Sequence, residues 1–161
     1  MQFNPQFGLY PILRELVNSS LKNQYKHKQN KERMSPVHWL KEFCTIKLSS
    51  SRQMGHTTAS LKVMSDYFVK PLFLTTIHTT VRAAEQIFHE LPLKPNYKPN
   101  IKFYNIRQAF EECKVIGRGS DYDAIFVDNA YRLKDTDYKT IEEIAIRSME
   151  KHESFCLVYL Q

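Results

Sequence analysis

The chain has 161 residues, a formal net charge of +6 and three cysteines. A fold of this length can bury about 70% of its unfolded surface, so we expect one core that needs neither disulfides nor a structural metal. Cys44, Cys113 and Cys156 lack the paired spacing of zinc ligands or redox dithiols, and we interpret them as reduced thiols, two of them in strands. The sequence shows no signal-peptide pattern and no apolar run of the ~18–20 residues that a membrane span requires, which predicts a cytoplasmic protein without a membrane partner.

Residues 1–35 are predicted to form a helix followed by a basic segment. Apolar residues recur at helical spacing over residues 9–22 and indicate an amphipathic helix. The stretch after it is poor in apolar residues and predicts an exposed helix end or a mobile basic loop. Two interpretations stay open for its charges, namely solvated surface or contact with nucleic acid or an acidic protein. The charged residues are Lys22, Lys26, Lys28, Lys31 and Arg33.

Residues 36–161 are predicted to form one α/β domain, and the whole chain a single compact unit. Predicted strands alternate with predicted helices, which favours a three-layer fold with a mostly parallel sheet. Ser35-Pro36 has the form of a helix N-cap followed by proline at the first helical position. The predicted strands cover residues 43–48, 71–78, 101–104, 124–128 and 155–160, and the predicted helices cover residues 37–42, 57–69, 80–91, 106–116 and 136–151.

The segment SRQMGHTT, residues 51–58, separates a predicted strand from a predicted helix. It has the pattern of a phosphate-binding loop from which the lysine is missing. Such a loop surrounds phosphates with main-chain N–H groups, places an ammonium group on the β and γ phosphates and coordinates magnesium through the next hydroxyl group. His56 occupies the position of that ammonium group. A strand exit rich in serine and threonine can also simply cap a helix.

A second motif follows about seventy residues later, where the apolar predicted strand 124–128 ends in Asp128. P-loop NTPases hold magnesium through an aspartate in this position. Apolar strands that end in aspartate are common, so this motif is weak by itself. Both motifs in this order, each on a predicted strand, favour a P-loop NTPase fold.

These residues resemble the ATPase domain of large terminase subunits, the phage DNA-packaging motors, and their relatives among RecA-like helicases. The resemblance covers residues 36–161. In terminases the phosphate loop often has the sequence Ser-Arg-Gln-x-Gly-Lys-Thr-Thr. Residues 51–58 match this sequence except at His56. Residues 79–88 resemble the segment after the family's second strand, and Asp128-Asn129-Ala130 resembles its Asp-Glu-Ala.

The resemblance implies a role for each matching position. Arg52 and Gln53 would border the γ-phosphate, and Asp128 would hold magnesium through water. The candidate phosphate-binding residues are Arg52, Gln53, Gly55, His56, Thr57 and Thr58.

Two departures from the family argue against efficient hydrolysis. Loss of the lysine removes a charge-assisted contact of roughly 1.5–3 kcal/mol, and histidine is largely neutral at pH 7. Asn129 replaces the glutamate that would polarise the attacking water, and an amide cannot take a proton. Each change could lower the rate about 100-fold or more. We therefore assign no catalytic residue, and ATP and magnesium are candidate ligands rather than required cofactors.

The leading hypothesis is a non-hydrolysing pseudo-ATPase, a small phage-type regulatory or decoy protein that binds a host or phage macromolecule. Its candidate partners are the transcription and DNA-processing machinery. The family's coupling motif and nuclease domain would follow residue 160, so we expect no conversion of hydrolysis into motion. One alternative is a weak or partner-activated ATPase related to the terminases. Another is a nucleic-acid-binding module that uses the basic residues 22–33.

Overall fold

The computed structural model describes residues 8–50, 55–93, 97–111 and 121–161. Five strands form one sheet in which all neighbours are parallel, in the order β1-β5-β4-β2-β3. The predicted α/β class with a parallel sheet is therefore confirmed. The strands are β1 (Thr45–Leu48), β2 (Pro71–Thr75), β3 (Lys102–Asn105), β4 (Ala124–Asp128) and β5 (Cys156–Leu160).

The helices alternate with these strands along the chain. Ser35 caps α2 by accepting a hydrogen bond from the His38 N–H at 3.2 Å, and Pro36 is the first helical residue, as the sequence predicts. Within the described ranges, none of the helices combines the length and the apolar character needed to cross a membrane. The helices are α1 (Tyr10–Lys26), α2 (Pro36–Trp39), α3 (His56–Tyr67), α4 (His78–Glu90), α5 (Ile106–Glu111) and α6 (Asp135–Met149).

Several predicted boundaries differ from the structure. The first helix continues to Lys26, beyond its predicted end, and is followed by a 3₁₀ helix, Lys28–Arg33, so of the two predicted alternatives for the basic segment the helix end agrees with the structure and the loop does not. Cys44 ends a π-helical turn, Leu40–Cys44, and does not lie in a strand; Cys156 does. The second strand is predicted to extend to residue 78, but it ends at Thr75, and His78 is already the first residue of α4. Residues 112–116 of a predicted helix, and with them Cys113, lie outside the described residues.

The sheet is covered on both faces by helices. Phe126 in β4 packs into a core with residues of α1, α3 and α4. Its neighbours Ile125 and Val127 point to the other face, into a core with residues of α2, α5 and α6. All five residues of β4 are buried, as expected for a strand between two helical layers.

The direction of the crossovers changes within the sheet. The helices after β1 and β2 lie on one face, and those after β3 and β4 lie on the other. β2 and β4 are neighbours, so the chain leaves their carboxyl ends toward opposite faces. In open parallel sheets a crevice forms at such a point, and ligands bind there. This topology positions the candidate site.

Candidate functional site

A cleft of about 400 Å³ opens at the carboxyl ends of β2 and β4, beside the amino end of α3. It brings together the described part of the predicted phosphate loop and the second motif, which are far apart in sequence. The lining residues are Gly55, His56, Thr57, Thr58, Ile77, Thr80, Asp128, Asn129 and Tyr131.

Thr57 and Asp128 connect the two motifs directly. The Thr57 hydroxyl group donates to Oδ2 of Asp128 at 2.6 Å, across 71 residues of sequence. The Asp128 side chain is 2% exposed, and its Oδ1 accepts the main-chain N–H of Asn129 at 2.9 Å. A buried carboxylate is thus held in a fixed orientation by two hydrogen bonds, with a hydroxyl oxygen beside it.

Gly55 and His56 begin α3 at the edge of the cleft. Gly55 has a left-handed backbone (φ 68°, ψ 46°), while a Cβ atom added there would meet nothing within 4 Å. Glycine is therefore favoured by backbone conformation and not by space. The described first turn of α3 contains no acidic residue of its own, so the carboxylate nearest to the partial positive charge of this helix end is that of Asp128, which Thr57 contacts.

The His56 side chain is already engaged. Its Nε2 atom contacts the hydroxyl group of Ser50, the residue just before the predicted loop. The imidazole ring is therefore held against the end of the β1 segment. The main-chain carbonyl of His56 accepts a hydrogen bond from Ser60 at 2.7 Å within α3.

Asn129 has a structural role that the sequence does not reveal. It is the one non-glycine residue with positive φ in the described part of the chain (φ 56°). Its Nδ2 atom lies 3.4 Å from the Thr75 hydroxyl oxygen, and its carbonyl oxygen accepts from Thr76 at 2.9 Å. Asn129 thus connects the end of β4 to the end of β2.

The cleft offers oxygen ligands and N–H donors, but little positive charge. Its described lining contains neither lysine nor arginine. No group of three or more His, Cys, Asp or Glu among the described residues could hold a metal ion. A magnesium ion here would complete its coordination with water and with the oxygen atoms of a ligand. Magnesium bound in this way takes one or two carboxylates together with substrate phosphates.

The other predicted site residues fall elsewhere. Arg52 and Gln53 lie outside the described residues. The basic residues predicted to bind an acidic partner lie at the end of α1 and in the 3₁₀ helix after it, away from the cleft. All except the half-buried Lys31 are exposed; they are Lys22, Lys26, Lys28 and Arg33.

Three lining residues have no recognisable signal in the sequence. Ile77 and Thr80 enter through the short turn after β2 and the first turn of α4. Tyr131 is 45% exposed, and the Arg132 guanidinium carbon lies 5.7 Å from its ring centroid. Thr80 and Tyr131 add hydroxyl groups to the rim.

Comparison of the sequence with protein-family models gave no match, and comparison with curated proteins gave no significant match. The residues of the cleft are therefore the basis for the function proposed below.

Proposed function

We propose that residues 36–161 form a degenerate P-loop domain, related to the terminase ATPases, that binds nucleotide phosphates with magnesium but does not hydrolyse them efficiently. The 2.6 Å hydrogen bond between Thr57 and Asp128 carries this proposal. In P-loop NTPases the same two residue types, a loop hydroxyl and a strand-end aspartate, meet at the magnesium ion.

The location of the cleft supports a ligand site. It lies at the carboxyl ends of parallel strands, where neighbouring strands lead to opposite faces of the sheet. The amino end of α3 borders it with main-chain N–H groups and a left-handed glycine. Both features favour an anionic group such as phosphate.

The oxygen atoms present fit magnesium. Thr57 would hold the ion through its hydroxyl group, and Asp128 would hold it through water. Both are hard oxygen ligands of the kind that magnesium prefers. When bound, the ion would neutralise phosphate charge, which no described lysine or arginine in the lining does.

Hydrolysis would lack its usual residues. The amide of Asn129 lies near Thr75 and cannot accept a proton from water. The imidazole of His56 contacts the Ser50 hydroxyl group, and its shorter side chain lacks the reach of a lysine. Such a domain is better suited to bind a nucleotide than to turn it over. Its biological role would be that of a regulatory or decoy protein acting on a host or phage macromolecule.

Calorimetric titration with a non-hydrolysable ATP analogue tests the site, with and without magnesium. We expect binding in the micromolar to millimolar range that requires magnesium. Asp128→Asn and Thr57→Val should abolish it, whereas Asp135→Ala, at an exposed aspartate, should not. Absence of heat at millimolar nucleotide, or equal binding by Asp128→Asn, would show that the cleft is not a magnesium–nucleotide site.

Restoring the lysine provides a second test. His56→Lys should strengthen binding of the analogue by roughly 10- to 100-fold, since a charge-assisted contact contributes about 1.5–3 kcal/mol. It should not restore turnover alone, because Asn129 remains. Unchanged affinity in a correctly folded His56→Lys protein would contradict the proposed geometry of the loop.

A further inference from the structure

A second opening, which we call the basal groove, lies at the amino ends of the strands. It measures about 550 Å³. One wall is the end of α1 with the 3₁₀ helix after it, and the other is the loop of residues 150–154 before β5. The two walls are joined where the Lys31 ammonium group donates to the carbonyl oxygen of His152 at 3.2 Å.

The floor of the basal groove is fixed. Gln24, which is 2% exposed, donates to the Phe155 carbonyl oxygen at 2.7 Å and accepts the Phe155 N–H at 3.0 Å. β5 spans five residues, which separates the basal groove from the candidate phosphate cleft by roughly 16 Å. The groove is therefore a site distinct from the cleft.

Most of the chain's excess charge lies beside this groove. Residues 22–33 contain five lysine or arginine residues and one glutamate, and so account for four of the six net positive charges. Lys28 and Lys31 line the groove itself, and Lys151 stands on the opposite wall. This concentration of charge favours a polyanionic partner.

An exposed aromatic ring lies within the same basic surface. Tyr25 in the last turn of α1 is 74% exposed, the largest exposed fraction among the described large hydrophobic side chains. The Lys28 ammonium group lies 4.6 Å from its ring centroid. An aromatic face next to cations is the arrangement on which single-stranded bases stack while their phosphates pair with the cations.

We propose that the basal groove binds single-stranded nucleic acid, with a base on Tyr25 and the adjacent phosphates near Lys28 and Lys31. Glu150 and Glu153 also line the groove and would repel a purely anionic ligand. They suit a nucleic acid whose unpaired bases present amino groups, because carboxylates accept hydrogen bonds from such groups. An acidic peptide would use the lysines but would give no reason for an exposed tyrosine ring.

Fluorescence anisotropy with labelled oligothymidylate and oligocytidylate tests the proposal on the full chain. Tyr25→Ala should weaken binding roughly 5- to 150-fold, the loss expected for one stacked base, whereas Tyr25→Phe should bind like the wild type. Lys28→Gln should lower the slope of log affinity against log salt by about 0.7. Lys139→Gln, the same change at an exposed lysine on α6, should leave that slope unchanged.

Three results would each overturn this assignment. The first is absence of oligonucleotide binding at low salt. The second is equal affinity of Tyr25→Ala and Tyr25→Phe, which would remove stacking as the mode of binding. The third is tighter binding of a polyglutamate peptide than of either oligonucleotide, which would identify the partner as an acidic protein. Thermal unfolding of each variant checks that the fold is intact, and Tyr25→Leu, which has apolar bulk but no aromatic face, takes the place of the Ala variant if that variant unfolds.

Discussion

Asn129 has a structural role in the turn that follows β4. The terminase-like pattern assigns a glutamate to its position, next to the aspartate that ends β4. In the structure its left-handed backbone lets the main-chain N–H donate to Asp128 while the carbonyl group accepts from Thr76. Asparagine tolerates this conformation far better than glutamate does. Asparagine at this position therefore stabilises the turn.

This role predicts different effects for two substitutions at position 129. Asn129→Ala should lower the free energy of unfolding by about 1–2 kcal/mol, because alanine is strained in the left-handed region. Asn129→Gly loses the same amide contact with Thr75, but glycine adopts the left-handed conformation without strain. The Gly variant should therefore be about 1 kcal/mol more stable than the Ala variant. Urea unfolding at neutral pH measures both. An Ala variant as stable as the Gly variant would contradict a left-handed Asn129.

Gln24 makes α1 part of the body of the fold. Its amide group forms two hydrogen bonds with the main chain of Phe155, as a neighbouring strand would do at the start of β5. The Ser20 hydroxyl group donates to the Phe43 carbonyl oxygen at 2.6 Å from the same face of the helix. Polar side chains thus satisfy buried main-chain groups where helix and sheet meet.

Gln24→Met should therefore lower the stability of the fold, although the two side chains are similar in length. It leaves the buried N–H and C=O groups of Phe155 without these partners, and each such loss costs about 1–3 kcal/mol. We expect the free energy of unfolding to fall by about 2–4 kcal/mol in urea. Gln29→Met, at an exposed glutamine three residues past the end of α1, is the matched control and should stay within about 0.5 kcal/mol of the wild type. Equal stability of the two variants would mean that α1 is not anchored through Gln24.

The same helix illustrates what the sequence could and could not predict. The alternation of apolar segments predicts the five strands and the six α-helices of the described part of the chain, although not the short 3₁₀ helices, and it gives strand 124–128 with its terminal aspartate its observed bounds. The end of α1 was missed because its inward positions change from apolar residues to Ser20 and Gln24, which resemble surface residues in sequence. The strand order was not predictable, since it depends on pairing between segments that are distant along the chain.

At the scale of the whole molecule, the sheet separates two surfaces of different chemistry. The cleft at the carboxyl ends carries Asp128, hydroxyl groups and a helix amino end, whereas the basal groove carries lysines and Tyr25. β5 runs between them. Phe155, just before its first residue, accepts a hydrogen bond from Gln24 of the groove, and the carbonyl group of Gln161, just after its last residue, accepts from the main-chain N–H of Ser50. The two openings thus lie at opposite ends of the sheet, and β5 is the second strand in its order.

The two described cysteines pack against opposite faces of the sheet, and we expect both to lower the stability of the fold at alkaline pH. Burial raises the pKa of the Cys44 and Cys156 thiols from 9.0 to about 12. In the unfolded chain these thiols ionise near pH 9, while in the folded protein they stay protonated. Between these values the unfolded state binds fewer protons, so the free energy of unfolding falls as the pH rises.

Each thiol should steepen this fall by up to about 1.4 kcal/mol per pH unit. Urea unfolding under reducing conditions, from about pH 8 to about pH 10.5, should show a shallower pH dependence for Cys44→Ala and Cys156→Ala than for the wild type, with the double variant shallowest. Each substitution also lowers stability at pH 8 through lost packing, but that loss is independent of pH, so the slope isolates ionisation. Parallel curves for all four proteins would mean that the thiols ionise equally in the folded and unfolded chains, and that the sheet does not exclude water from them.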